Sequence, residues 1–138
     1  VHESSLSPCI HSILFSKVNN IDKAFEMYLR TSRLDLDDYN KEVNEGLHIT
    51  SMAGTWLSII EGFAGLRINR EKITLNPKLP QNWNSYKFKI IYKNKRISIH
   101  VLKDEVIIEN KSDSIINFSI FEKSYFVEKK LNVRYNAD

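Results

Sequence analysis

The sequence predicts an α+β chain in which helices come first and strands follow, without alternation. Three observations carry this. Apolar residues recur at helical spacing up to about Glu61, and the spacing drops to two after Gly65. The charge balance reverses at the same place. Residues 1–65 carry five Lys/Arg against nine Asp/Glu, and residues 66–138 carry fifteen against eight, within a net charge of +3. A Pro-containing connector, "NPKLPQNW", precedes the main run of alternating residues. Domains of 1–65 and 66–138 are expected.

The helices can be taken in order. In "SPCIHSILFSKV", Cys9, Ile10, Ile13 and Leu14 make an apolar face, with Ser7 as N-cap and Pro8 at the first helical position. A second helix follows, with Ala24, Phe25, Tyr28 and Leu29 as its stripe and Asn20 or Asp22 as its cap. The short "NN" link implies an antiparallel hairpin of helices. "DLDDYNKEVNEGLH" reads as a polar surface loop. A third helix should start near Ser51 and run to about Glu61, with Gly62 or Gly65 as its left-handed stop. Trp56, Ile59, Ile60 and Phe63 are its core positions. A helix as apolar as "TWLSIIEGFAGL" is buried on several sides, so it belongs to a larger helical assembly.

Beyond Gly65, "YKFKIIYK", "RISIHVL", "EVIIE" and "IINFSIF" read as strands, with "KNK" and "KDE" as hairpin links. Six or seven short strands predict an antiparallel sheet or sandwich.

Composition excludes several classes. The one cysteine, Cys9, rules out an intrachain disulfide framework and a cysteine metal cluster, and fits a reducing, cytoplasmic setting. No apolar run reaches the roughly 18 residues of a membrane span. The polar start "VHESSLSP" is no signal peptide and lacks an initiating Met, so the chain is expected to be a segment of a longer protein. Asp35, Asp37 and Asp38 lack EF-hand spacing and read as a solvated loop, with no metal expected. "HESS" lacks the strained turn of a serine nucleophile.

"HESSLSP", "YLRTSRLDLDDYN", "EGLHITSMAGTW", "GFAGLRI" and "LNPKLPQNW" occur in this order. Together they resemble the C-terminal portion of the family 65 glycoside hydrolases, the inverting disaccharide phosphorylases, over roughly residues 2–110. The resemblance implies that residues 1–65 are the last helices of an (α/α)6 barrel and residues 66–138 a small antiparallel β-sandwich domain. It implies cleavage of an α-glucosyl disaccharide, maltose ahead of trehalose, kojibiose or nigerose, by inorganic phosphate to β-glucose 1-phosphate and glucose. No cofactor is implied beyond phosphate as co-substrate, and the parent is expected to be a homodimer. The general acid lies upstream, so no catalytic residue is assigned here and the chain alone should be inactive. The missing barrel or self-association should cover its apolar helices.

A helix start favours anions through free amides and its dipole. In "HITSMAGTW" this points to a phosphate site with His48, Ser51 and Gly54 first and Thr50 and Thr55 as secondary donors, in agreement with the resemblance. Ser51 as an ordinary cap and His48 as a structural histidine are the competing readings. Ser5 is a candidate for support at the same mouth. A second function class is a carbohydrate-binding or purely structural β domain, with Trp83 or Tyr92 as a stacking platform. Nucleic-acid binding is disfavoured, because alternation sends Tyr86, Phe88 and Ile90 to one face and Lys87 and Lys89 to the other.

Overall fold

A computed structural model describes residues 4–38, 41 and 43–135. The chain divides into two compact units, Val1–Phe63 and Ala64–Asp138.

The first unit holds α1 (Ser7–Lys17), α2 (Ile21–Ser32) and α3 (Ile49–Leu57). A π-helical turn, Ser58–Phe63, continues α3. Pro8 sits in the first turn of α1, where a missing N–H is tolerated. The expected Ser7 cap is not used. Leu6 is the N-cap, without a side-chain bond, and Ser4 Oγ accepts from Leu6 N at 3.2 Å to hold the entrance. Asn20 caps α2 as expected, accepting from Lys23 N at 3.2 Å.

The apolar face expected for α1 is corrected. Its buried residues are Pro8, Cys9, Ser12 and Ser16. Leu6, Ile10, Leu14 and Val18, spaced by four, are 47%, 53%, 52% and 70% exposed. Small side chains face inward because α1 packs closely on its neighbours. Ser12 Oγ donates to the Ala24 carbonyl at 2.8 Å, and a Cβ on Gly54 would lie 2.8 Å from both Cβ and Sγ of Cys9. On α2, Ala24 is fully buried and Leu29 is exposed. Phe25 stacks on Tyr28, whose ring meets Phe63 edge-on.

Helix α3 also departs from expectation. It begins at Ile49 rather than Ser51, and it changes to π geometry after Leu57. Thr55 Oγ1 bonds back to the Ser51 carbonyl at 2.9 Å within α3, and Ser58 Oγ bonds back across the change to the Gly54 carbonyl at 2.9 Å. Ile60 and Phe63 are buried as expected, but Trp56 is half exposed, with Ile49 and Met52 also open to solvent. Gly65, at φ +60°, takes the left-handed conformation, and a Cβ there would lie 2.9 Å from the Asn76 carbonyl oxygen.

The second unit has eight strands: β1 (Arg67–Ile68), β2 (Ile73–Leu75), β3 (Ser85–Tyr92), β4 (Lys95–Leu102), β5 (Glu105–Asn110), β6 (Ile116–Ile120), β7 (Lys123–Val127) and β8 (Lys130–Arg134). They form two four-stranded sheets, ordered β1-β2-β6-β7 and β3-β4-β5-β8. All pairings are antiparallel except β2 with β6, which is parallel. The α+β class with a two-sheet second unit is as expected, and the parallel pair is an addition to it. Lys93 and Asn94 both have positive φ and make the tight β3–β4 turn at "KNK".

Alternation works as the pattern requires. Tyr86 and Phe88 are buried while Lys87 and Lys89 are exposed, and Ile97, Ile99, Val101, Val106 and Ile108 fill the core. Asn110 ties the sheets together. It is 2% exposed, and from the end of β5 its Nδ2 reaches the carbonyls of Ser114, Val127 and Glu128 at 2.7, 3.0 and 2.8 Å. Its Oδ1 accepts from Ser112 N at 3.0 Å and from Ser112 Oγ at 2.6 Å.

Candidate functional site

The mouth of α3 is built by the turn that follows α2. Arg33 grips Asp37 with two bonds of 2.7 and 2.6 Å, and Asp38 Oδ1 accepts from Val43 N at 3.1 Å. These pairs fold the polar segment back on itself. Between them, buried Leu34 anchors the chain and Asp35 turns toward the start of α3. His2, Glu3, Tyr39, Asn40 and Glu42 of the motifs noted above lie outside the described residues.

The sequence places Asp35 in a solvated loop, and the structure corrects this. Its Oδ1 lies 2.6 Å from His48 Nδ1, and its Oδ2 accepts from His48 N at 3.0 Å. The hydrogen bond to the imidazole is the main cause holding the Asp35 carboxyl below its ordinary range. An ionised carboxylate only accepts, so Nδ1 must carry the proton. With Nδ1–H committed to Asp35, Nε2 donates a hydrogen bond only in the imidazolium form.

His48 is the N-cap residue of α3, without a side-chain cap bond of its own. Thr50 is exposed in the first turn. Ser51 is not the cap. It lies inside the helix, 1% exposed, and its Oγ donates to the Ser5 carbonyl at 2.8 Å. Ser5 therefore supports this mouth through its backbone. Gly54 faces Cys9, and Thr55 Oγ1 is held by the Ser51 carbonyl. His48 and Thr50 thus stand at the helix entrance, while Ser51, Gly54 and Thr55 hold its first turns in place. The arrangement places an imidazole oriented by a carboxylate beside the positive end of a helix.

Other readings fare differently. Tyr92 cannot serve as a stacking platform, because its ring is buried and its hydroxyl donates to the Asn69 carbonyl at 3.1 Å. Trp83 is half-buried, with its ring edge-on to Tyr86. Among the described residues, no helix is long and apolar enough to cross a membrane.

Residues 1–57 match the model of the glycosyl hydrolase family 65 central catalytic domain, and residues 66–127 match that of the glycosyl hydrolase family 65 C-terminal domain. The chain is 43% identical to a maltose phosphorylase of Bacillus subtilis over 97% of its own length and 18% of the relative's. It is 39% identical to an alpha,alpha-trehalose phosphorylase of Thermoanaerobacter brockii, over 93% of this chain and 16% of that one. A solved structure described as "Putative kojibiose phosphorylase from human microbiome" superposes with a TM-score of 0.91 at 43% identity, covering 97% of this chain and 19% of the other. The chain therefore spans less than a fifth of the length of these relatives.

Proposed function

We propose, from the premise that this chain belongs to glycosyl hydrolase family 65, that it is the C-terminal part of an inverting disaccharide phosphorylase. The substrate is an α-glucosyl disaccharide. Relatives named for maltose, trehalose and kojibiose all match this chain, and maltose is the favoured reading. In the reaction the glycosidic C1–O bond breaks and a phosphate oxygen bonds C1 from the opposite face, giving β-glucose 1-phosphate. A general acid protonates the departing sugar oxygen. That acid belongs to a part of the protein outside this chain, so the chain alone is inactive. Phosphate is already anionic, so it needs a pocket rather than a second carboxylate to activate it.

The observation that carries the reading is the Asp35–His48 pair at the mouth of α3. His48 donates to phosphate through Nε2 as an imidazolium, with Thr50 beside it. Ser51 must release the Ser5 carbonyl to donate as well, and Gly54 and Thr55 fix the turn behind them. The apolar stripe of α1 and the exposed Ile49, Met52 and Trp56 of α3 support the reading that the first unit completes an (α/α)6 barrel, in which the protein's own upstream helices cover these side chains.

The test is steady-state kinetics of the longer protein with and without phosphate. No disaccharide is consumed without phosphate, and His48→Ala raises the phosphate KM by roughly tenfold or more, the loss expected for one charge-assisted hydrogen bond. Equal turnover in phosphate-free buffer would falsify the proposal.

A further inference from the structure

Strand β4 points Ile97, Ile99 and Val101 into the core. The residues between them face outward, yet Ser98 on this outer face is only 4% exposed. Its hydroxyl is covered and has no hydrogen-bond partner among the described residues. Buried hydroxyls are normally paired, so this one is a donor without an acceptor.

The register shows what surrounds it. Ser98 lies opposite Lys89 on β3 and Glu109 on β5, so its neighbours' Cβ atoms stand about 5 Å away on each side. Arg96 precedes it by two on the same face of β4. Lys87 and Ile91 occupy the diagonal positions on β3. Lys111 follows β5, with Nζ 3.3 Å from Glu109 Oε2. These side chains line a cleft of ≈ 720 Å³. Lys87, Lys89, Arg96 and Lys111 thus face a single carboxylate. Among the described residues, no carboxylate pairs with Lys87, Lys89 or Arg96 at salt-bridge distance. The bond from Lys111 holds Glu109 ionised and able to accept.

We propose that this cleft on the outer face of the β3-β4-β5-β8 sheet binds a sugar phosphate, with Ser98 at its centre. The phosphate oxygens take the Arg96 fork, the Lys87 and Lys89 ammonium groups and the Ser98 hydroxyl. Glu109 accepts from a sugar hydroxyl, and Ile91, 71% exposed, covers an apolar sugar face. Lys89 stands directly opposite Ser98 and is exposed, so an anion that draws its ammonium group aside uncovers the hydroxyl. Nucleic acid is the poorer occupant, because no aromatic side chain lines the cleft for a base to stack on. The site is independent of the one at His48.

The experiment is an ¹⁵N NMR titration of the 138-residue chain with glucose 6-phosphate, and with glucose as control. Glucose 6-phosphate shifts the amides of Lys89, Ser98 and Glu109, the affinity falls with added salt, and glucose leaves them in place. Arg96→Ala weakens binding by roughly tenfold. Ser98→Ala weakens it by about threefold or more and keeps the fold, since the hydroxyl it removes bonds nothing in the free protein. His48→Ala leaves these shifts unchanged. The proposal is overturned by shifts confined to the start of α3, by equal shifts with glucose, by Ser98→Ala binding as tightly as the parent, or by heparin binding at these amides where glucose 6-phosphate does not.

Discussion

Asn110→Ala should detach one sheet of the second unit from the other. The Nδ2 group has two protons for the three carbonyls in its reach, and Oδ1 accepts twice from Ser112. About four hydrogen bonds are therefore lost, each worth about 0.5–1.5 kcal/mol net. Ser112, Ser114 and Glu128 recover water when the side chain is cut back, because they lie near the surface. The Val127 bond is buried, so that carbonyl is left stranded. The expected loss is about 3 kcal/mol, in the lower half of the roughly 2–6 kcal/mol that four such bonds span, because most of the freed groups recover water. With a urea slope of about 1.5 kcal/mol/M, the midpoint falls by about 2 M. The assay is urea unfolding followed by Trp83 fluorescence in a Trp56→Phe background, which isolates the second unit. Asn110→Asp adds a sign. Its carboxylate faces three carbonyls, so its folded pKa lies above the roughly 3.9 of an unfolded Asp. Its penalty is therefore small below that value and grows as pH rises through the folded pKa. A midpoint within about 0.5 M of the parent for Asn110→Ala, or an Asn110→Asp penalty relative to the parent that is smaller at pH 7 than at pH 4, would refute the reasoning.

Gly54→Ala places a methyl 2.8 Å from Cys9 Cβ and Sγ, and helix CD on heating should show a loss of about 1–3 kcal/mol; an unchanged melting curve would count against close α1–α3 packing. Asp35→Asn removes a carboxylate whose folded pKa is depressed. The parent's contribution from this pair is present above the unfolded pKa of about 3.9 and is lost as pH falls through the folded value, so the parent–variant difference in stability should shrink on acidification. A difference that grows on acidification would contradict the assignment. Ile10→Lys with Leu14→Lys should leave the helix signal of the 138-residue chain intact and reduce its self-association in sedimentation velocity, while it lowers the soluble yield of the longer protein. Equal yields with both sequences would show that nothing covers this stripe.

Periodicity read the strands well and the first helix poorly, for one physical reason. In β3 and β4 the core is made of large side chains, so counting apolar residues at every second position finds the buried face. In α1 the inner face is Cys9, Ser12 and Ser16, chosen for size rather than hydrophobicity, because the partner backbones come close. A count of apolar residues then marks Ile10 and Leu14, which point outward. The parallel β2–β6 pair was illegible because the two strands are short and about forty residues apart, a separation at which no turn sets the register. The Asp35–His48 pair was hidden similarly. Thirteen residues of polar chain separate its members. Its one local signal is that Asp35 follows Leu34, a buried residue inside an otherwise acidic run.

The stretch "HITSMAGTW" shows how one motif carries two kinds of information. Ser51, Gly54 and Ser58 recur at spacings of three and four and are all buried, which places them on a single inward face of α3. A glycine there is as well explained by Cys9 at 2.8 Å as by an approaching anion, and the serine hydroxyl already has the Ser5 carbonyl. The residues not claimed by packing are His48 and Thr50. Of these, His48 is oriented by a carboxylate, that of Asp35. The proposed phosphate site at this helix start therefore rests on one imidazole, and its orientation follows from the 2.6 Å bond to Asp35 rather than from the glycine-containing pattern.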